Sequence, residues 1–136
     1  TETLQRPYRE ALLQQVARDL SQRLERLYSL GATDVILDPG FGFGKSLEQN
    51  YDLLASLSDL RMLFPREPLL VGVSRKSMIY KPLGLSPKEA LPGSLALAHE
   101  ALRQGTQILR VHDVKETLQV IQVLQLSQER NNDITN

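Results

Sequence analysis

Three short apolar runs constrain this chain more than any other feature of its sequence. They are Asp34-Val35-Ile36-Leu37-Asp38, Leu69-Leu70-Val71-Gly72-Val73 and Ile108-Leu109-Arg110-Val111. Each is too short for a stable helix; the first two, continuous apolar runs with branched side chains, suit strands buried on both faces of a parallel sheet, and the third, with Arg110 inside it, reads as a further strand. Helical patterns separate the runs. Leu12, Val16, Leu20, Leu24 and Leu27 mark an amphipathic helix from Tyr8 to Leu30, with Gly31 as its C-cap. Tyr51, Leu54, Leu57 and Leu60 mark a second. Ser86-Pro87-Lys88-Glu89 starts a short helix that Pro92 and Gly93 break. Ser94 starts another, with Leu95, Ala98 and Leu102 on one face and Gly105 at its end. Asp113 is expected to cap a last helix striped by Leu118, Ile121 and Leu124, followed by a polar, flexible tail over residues 127–136. One helix followed by three strand–helix units predicts a parallel α/β architecture in a single domain.

Sixteen basic and sixteen acidic residues balance, so charge gives no reason to expect nucleic acid or a membrane surface as partner. With no cysteine and only His99 and His112, thiolate and His-rich metal sites are not expected. No apolar run reaches the roughly 18–20 residues of a membrane span. The expectation is a soluble cytoplasmic protein. The opening residue is Thr1 and a helical pattern begins at once, which suggests a cut end.

Each strand run ends in polar residues: Asp38, then Ser74-Arg75-Lys76-Ser77, then Arg110, His112 and Asp113. Parallel β/α folds gather such C-terminal strand ends on one face, where ligands bind. Gly44-Lys45-Ser46 invites comparison with a phosphate-binding P-loop, but Pro39 stands where that motif needs its first glycine. Gly40, Gly42 and Gly44 are also wrongly spaced for a dinucleotide fingerprint. What remains is a loop whose backbone can approach a flat ligand, with Phe41 and Phe43 free to stack; a plain glycine turn with two packing phenylalanines fits the same residues. Two cations and two hydroxyls at residues 74–77 suit an anion near a helix start, or a solvated basic turn. Strand alternation puts Arg110 and His112 on one face, a pairing suited to phosphate or pyrophosphate; a surface pair with Asp113 capping the helix is the simpler alternative. His99, within a helical pattern, reads as a packing or surface residue.

Taken together, Asp38-Pro39-Gly40-Phe41-Gly42-Phe43-Gly44-Lys45, Val71-Gly72-Val73-Ser74-Arg75-Lys76-Ser77, Gly93-Ser94 and Arg110-Val111-His112-Asp113-Val114 resemble the dihydropteroate synthase family in order and separation. The resemblance runs to about residue 125. It implies a (β/α)8 TIM barrel of which this chain is the C-terminal part: the last three parallel strand–helix units and the helix before them. It implies a transferase of folate biosynthesis that joins 6-hydroxymethyl-7,8-dihydropterin pyrophosphate to para-aminobenzoate and releases pyrophosphate. Asp38 would bind the pterin edge, with Gly42, Gly72 and Ser74 as further substrate-binding positions. Lys76 would contact the pterin beside the aminobenzoate, Phe43 would wall the aminobenzoate ring and Ser77 would receive its carboxylate. Arg110 and His112 would hold the leaving pyrophosphate, so Lys76, Arg110 and His112 are the expected catalytic residues. Mg2+ is the implied cofactor, with its protein ligand in an N-terminal part beyond this chain and no metal ligand within it. Sulfonamides are implied inhibitors, and a homodimer or other self-association is implied. A fragment of such a barrel is expected to be inactive alone. The alternative is a non-catalytic phosphate- or nucleotide-binding β/α module.

Overall fold

The computed structural model describes the backbone of residues 2–135 and the side chains of residues 6–130. Helix α1 spans Glu2–Ser29, starting earlier than the apolar periodicity suggests and passing through Pro7. Val16 and Leu24 are buried, and Leu12, Leu13, Ala17 and Leu20 pack against the same core. Leu27, placed on the apolar stripe by its spacing, is largely exposed. The expected C-cap is present. Gly31 has φ +98°, its N–H bonds to the Tyr28 carbonyl, and the Ala32 N–H reaches back to the Leu27 carbonyl. That is the Schellman pattern, which only a left-handed residue closes cheaply.

Three parallel chain segments lie side by side. Leu37 bridges to Leu69, and β1 (Leu70–Val71) pairs with β2 (Ile108–Leu109) in the register Leu70↔Ile108, Val71↔Leu109. The regular strands are shorter than the apolar runs, and the first run is reduced to one bridge. Burial on both faces is also corrected. Leu37, Leu69, Val71 and Val73 lie under the helices, each at most 5% exposed. The opposite face is open: Ile36 is 54% exposed, Leu70 and Ile108 are half-buried, and Arg110 and His112 are exposed. Helices cover one side of the ladder, so the residue alternation of a strand separates a packed face from an open one.

The second helical pattern is two helices, α2 (Leu47–Ala55) and α3 (Leu57–Leu63). They part at Ser56, whose hydroxyl donates to the Asp52 carbonyl at 2.8 Å. A capping box between Ser46 and Gln49 starts α2. The buried stripe is Asn50, Leu53, Leu54, Leu57 and Leu60. Tyr51 lies outside it, tying α2 to the short helix that holds Met78 through a 2.8 Å bond from its hydroxyl to the Met78 carbonyl. Helix α4 is the single turn Ser77–Tyr80. Pro87–Glu89 form a 3-10 turn with the expected Ser86/Glu89 capping box.

Pro92 and Gly93 do not break a helix; they lie in the first turn of α5 (Leu91–Arg103), where a proline's missing N–H leaves nothing unpaired. The last helix, α6, spans Val114–Thr135. Its backbone is helical through the described part of the segment expected to be a polar, flexible tail, where good helix formers such as Gln128, Glu129 and Arg130 continue the hydrogen-bond ladder. The rest of that expected tail, the side chains of residues 131–135 and all of Asn136, lies outside the described residues. Among the described residues, no helix is long and apolar enough to cross a membrane.

Gly93 marks the tightest helix contact. A Cβ there would stand 2.4 Å from Cγ2 of Ile79, a buried and β-branched side chain with little freedom to move. We predict that Gly93→Ala destabilises the fold by about 1–3 kcal/mol through overpacking, outweighing alanine's better helix propensity. Thermal and urea unfolding would measure it.

Candidate functional site

The ladder's register assembles the open face. Leu70↔Ile108 sets Gly72 beside Arg110 and Ser74 beside His112. The side chains bear this out. The guanidinium of Arg110 lies across Gly72, where a Cβ would meet its Nη2 at 2.7 Å. The Ser74 hydroxyl is 2.9 Å from His112 Nδ1 and accepts the His112 backbone N–H at 3.2 Å. The first segment contributes Asp38, whose Oδ1 accepts the Gly40 N–H at 2.9 Å and shapes the start of the glycine loop. Among the described residues its Oδ2 has no hydrogen-bond partner.

The loop that follows cannot be regular structure. Gly40, Gly42 and Gly44 have φ of +80° to +86°, and Phe43 has φ +40°. A left-handed phenylalanine is costly and persists only where its surroundings impose it. The two phenylalanines divide. Phe41 is a core residue at 1% exposure, whereas Phe43 stands 80% exposed. Of the two aromatic rings offered for stacking, only Phe43 is free. Lys45 folds back to the Gly40 carbonyl.

Lys76 joins this loop to the second strand. Its Nζ donates to the Phe41 carbonyl at 2.6 Å and lies 5.1 Å from the centre of the Phe43 ring, a cation–π distance. Burial holds its ammonium below the usual lysine range, the neighbouring Arg110 cation lowers it further, and Asp38 opposes both. Lys76 is the N-cap position of α4, and Ser77 is that helix's first residue. Asp38, Gly42, Phe43, Lys76 and Arg110 thus meet at one end of the ladder, with Gly72, Ser74 and His112 along its open face.

Three supporting residues, Arg75, Ser94 and Asn50, were not among the expected site residues. Arg75 has φ +56°, its N–H donates to the Ser94 hydroxyl at 2.9 Å, and its guanidinium forks onto Asp113 at 2.6 and 3.1 Å. Asp113 is therefore not simply a helix cap. Both carboxylate oxygens serve Arg75, which holds the carboxyl below its ordinary range. Ser94 in turn donates to the Ala90 carbonyl, linking the turn to α5. Asn50, 5% exposed, accepts the Gly42 N–H at 2.8 Å and donates to the Ser46 carbonyl at 3.1 Å. Its signal was available: it stands three, four and seven residues before Leu53, Leu54 and Leu57, a polar residue in an apolar stripe. His99 is on the surface. Among the described residues no three His, Asp or Glu side chains are grouped to hold a metal ion.

The chain belongs to the pterin binding enzyme family, whose sequence profile matches residues 1–112. It is 54% identical to the dihydropteroate synthase of Escherichia coli (strain K12) over 91 residues, which are 67% of this chain and 32% of that enzyme. It is 40% identical to the Haemophilus influenzae dihydropteroate synthase over 121 residues, 88% of this chain and 43% of the relative. The Yersinia pestis dihydropteroate synthase, solved with a sulfonamide drug complex, superposes with a TM-score of 0.82 at 44% identity, covering 88% of this chain and 43% of that one. The chain thus spans between about a third and under half of the relatives it matches, and the likeness implies the TIM-barrel class for the fold.

Gly72 gives the site a test separable from folding. The group its Cβ would strike is the mobile end of an exposed arginine, so Gly72→Ala displaces the guanidinium rather than the core. We predict a melting temperature within about 3 °C of wild type by calorimetry, with the Arg110 guanidinium displaced from Gly72 in a crystal structure of the variant.

Proposed function

We propose that this chain provides the last three strand–helix units of a (β/α)8 barrel in a cytoplasmic dihydropteroate synthase. The observation that carries the reading is the meeting of Lys76, Asp38, Phe43 and Arg110 at one end of the ladder, with His112 beside Ser74 on the same open face. The reaction class explains why such groups belong together. The amine of para-aminobenzoate attacks the exocyclic methylene of the pterin; a C–N bond forms as the C–O bond breaks, and pyrophosphate departs with the electron pair. Negative charge grows on the leaving oxygen, where fixed cations stabilise it most.

Each residue has a part in that proposal. Asp38 receives the amino-pyrimidine edge of the pterin, a carboxylate being acceptor only. Gly42 and Gly72 let the ligand and Arg110 approach the backbone. Phe43 walls the aminobenzoate ring, or a sulfonamide in its place, and Ser77 takes the carboxylate. Lys76 lies between pterin and aminobenzoate. Arg110 and His112 hold the pyrophosphate, with Ser74 orienting the imidazole through Nδ1. Any Mg2+ ligands are proposed to come from residues outside this chain, and no step is assigned to the ion here. The nucleotide-binding alternative is weaker, because Lys45 is turned onto its own loop carbonyl rather than outward.

Pyrophosphate release from the two substrates with Mg2+, by the protein that carries these residues, tests the reading. We expect Lys76→Ala and Arg110→Ala each to lower kcat/KM by about 100-fold or more with unchanged folding. Near-normal turnover in both variants would overturn the assignment.

Self-association is part of the same proposal. Leu118, Val123 and Leu126 on α6 are 50–65% exposed, and Ile36 is exposed on the open face. Such apolar surface favours contact with further protein. We expect light scattering of the 136-residue chain to show species larger than a monomer; a strictly monomeric chain would contradict it.

A further inference from the structure

Asn50 is the buried polar side chain that the reaction leaves unexplained. It stands on α2, away from the open face, yet its carboxamide oxygen accepts the Gly42 N–H of the glycine loop, while its NH2 is anchored on the Ser46 carbonyl at the start of its own helix. The Gly42 N–H and the Phe41 carbonyl belong to one peptide unit. The chain has no cis peptide bond among the described residues, and a planar trans unit points its N–H and C=O in opposite directions. That same carbonyl receives Lys76 Nζ at 2.6 Å. One rigid plane is therefore held at both ends, by Asn50 on the helix side and by Lys76 on the site side.

The plane needs holding. On one side is Gly42 at φ +86°, a residue with wide conformational freedom. On the other is Phe41, whose buried ring fixes the side chain but not the rotation of the peptide that follows it. No strand or helix ladder runs through residues 40–44 to lock the unit.

We propose that Asn50 is a positioning residue that sets the Lys76 ammonium through the Phe41–Gly42 peptide plane. This deepens, and rests on, the reading of Lys76 as a substrate contact. Without the Asn50 carboxamide, the Gly42 N–H loses its buried acceptor. The plane then turns, and the Phe41 carbonyl no longer faces Lys76. The ammonium moves toward water and off the Phe43 ring. The residue acts at a distance from the reacting atoms, through one carbonyl oxygen.

A double-mutant cycle in the protein that carries this sequence tests the coupling. Asn50→Ala is expected to lower kcat/KM for the pterin pyrophosphate roughly 10-fold or more, but less than about 2-fold in a Lys76→Ala background. A merely structural role would give the same loss in both. Competitive amine labelling across pH, with exposed Lys115 as reference, reads Lys76 without any catalysis. Its titration midpoint should rise toward the ordinary lysine value in Asn50→Ala as burial is relieved. Asn50→Ser, too short to reach the Gly42 N–H, replaces Asn50→Ala if the alanine variant fails to fold. Additive losses in the cycle, or an unmoved Lys76 midpoint, would overturn the inference. If neither background turns over the substrates, the catalytic reading fails, and the midpoint alone decides: a shift upholds the peptide-plane coupling, and no shift removes it.

Discussion

The hydrogen-bond register between the three parallel segments is the constraint from which the site follows. Leu70 N–H to the Leu37 carbonyl at 2.7 Å, and Arg110 N–H to the Val71 carbonyl at 3.0 Å, fix where each chain lies along its neighbour. Side chains along a strand alternate, so a slip of one residue would turn Arg110 and His112 into the helices and bring Leu109 and Val111 out. The apolar residues prevent it: Leu69, Val71 and Val73 have places in the buried core that a charged side chain could occupy only at several kcal/mol. Packing on the hidden face therefore dictates chemistry on the open one. Arg110 crosses Gly72, and His112 meets Ser74, because the hydrophobic side of the same strands permits no other alignment.

Two turns carry the groups the strands cannot. Both hold a non-glycine residue in the left-handed region, Phe43 in one and Arg75 in the other. Neither turn is stabilised by its own backbone alone. The first is tied to α2 through Asn50 and Ser46; the second to α5 through Ser94 and to the start of α6 through Asp113. Strained backbone is tolerable where rigid elements hold it from several directions. The helices do more here than cover the sheet; their polar side chains fix the loop conformations that aim Lys76, which is itself the bond between the two turns.

Much of this was legible in the residues. The strand–helix rhythm, the Gly31 cap and the Ser86 capping box follow from local rules that the tertiary structure does not override. The convergence of Asp38, Lys76, Arg110 and His112 followed from parallel topology, since strand ends of one hand share a face. Other features depend on contacts that no local pattern records. Pro92 and Gly93 read as a break because both disfavour helices, yet the same pair suits a first turn where α4 presses close. Asp113 read as a cap because of its place before a helix, and its pairing with Arg75 needed the fold to bring residues 38 apart together. The strands were read as buried on both faces because apolar runs carry no label for which side is covered. Asn50 was overlooked because the stripe was drawn through Tyr51, one position away.

The division between Phe41 and Phe43 bears on how such a protein changes over generations. Two aromatic residues two positions apart have opposite obligations. Phe41 is buried in the same core as Leu53 and Leu57, so its replacement disturbs the whole fold. Phe43 touches little of the protein beyond the Lys76 cation and the edge of its own loop, and its ring meets solvent. Under the proposed function, a ring left uncovered in this way would add to ligand affinity, on the order of 1.5–3 kcal/mol when fully buried, while contributing little to stability. Variation at that position would then reshape which aromatic compounds are held without a matching loss of foldedness, whereas variation two residues earlier would not. The loop thus separates what the molecule must keep in order to exist from what it is free to alter in order to discriminate.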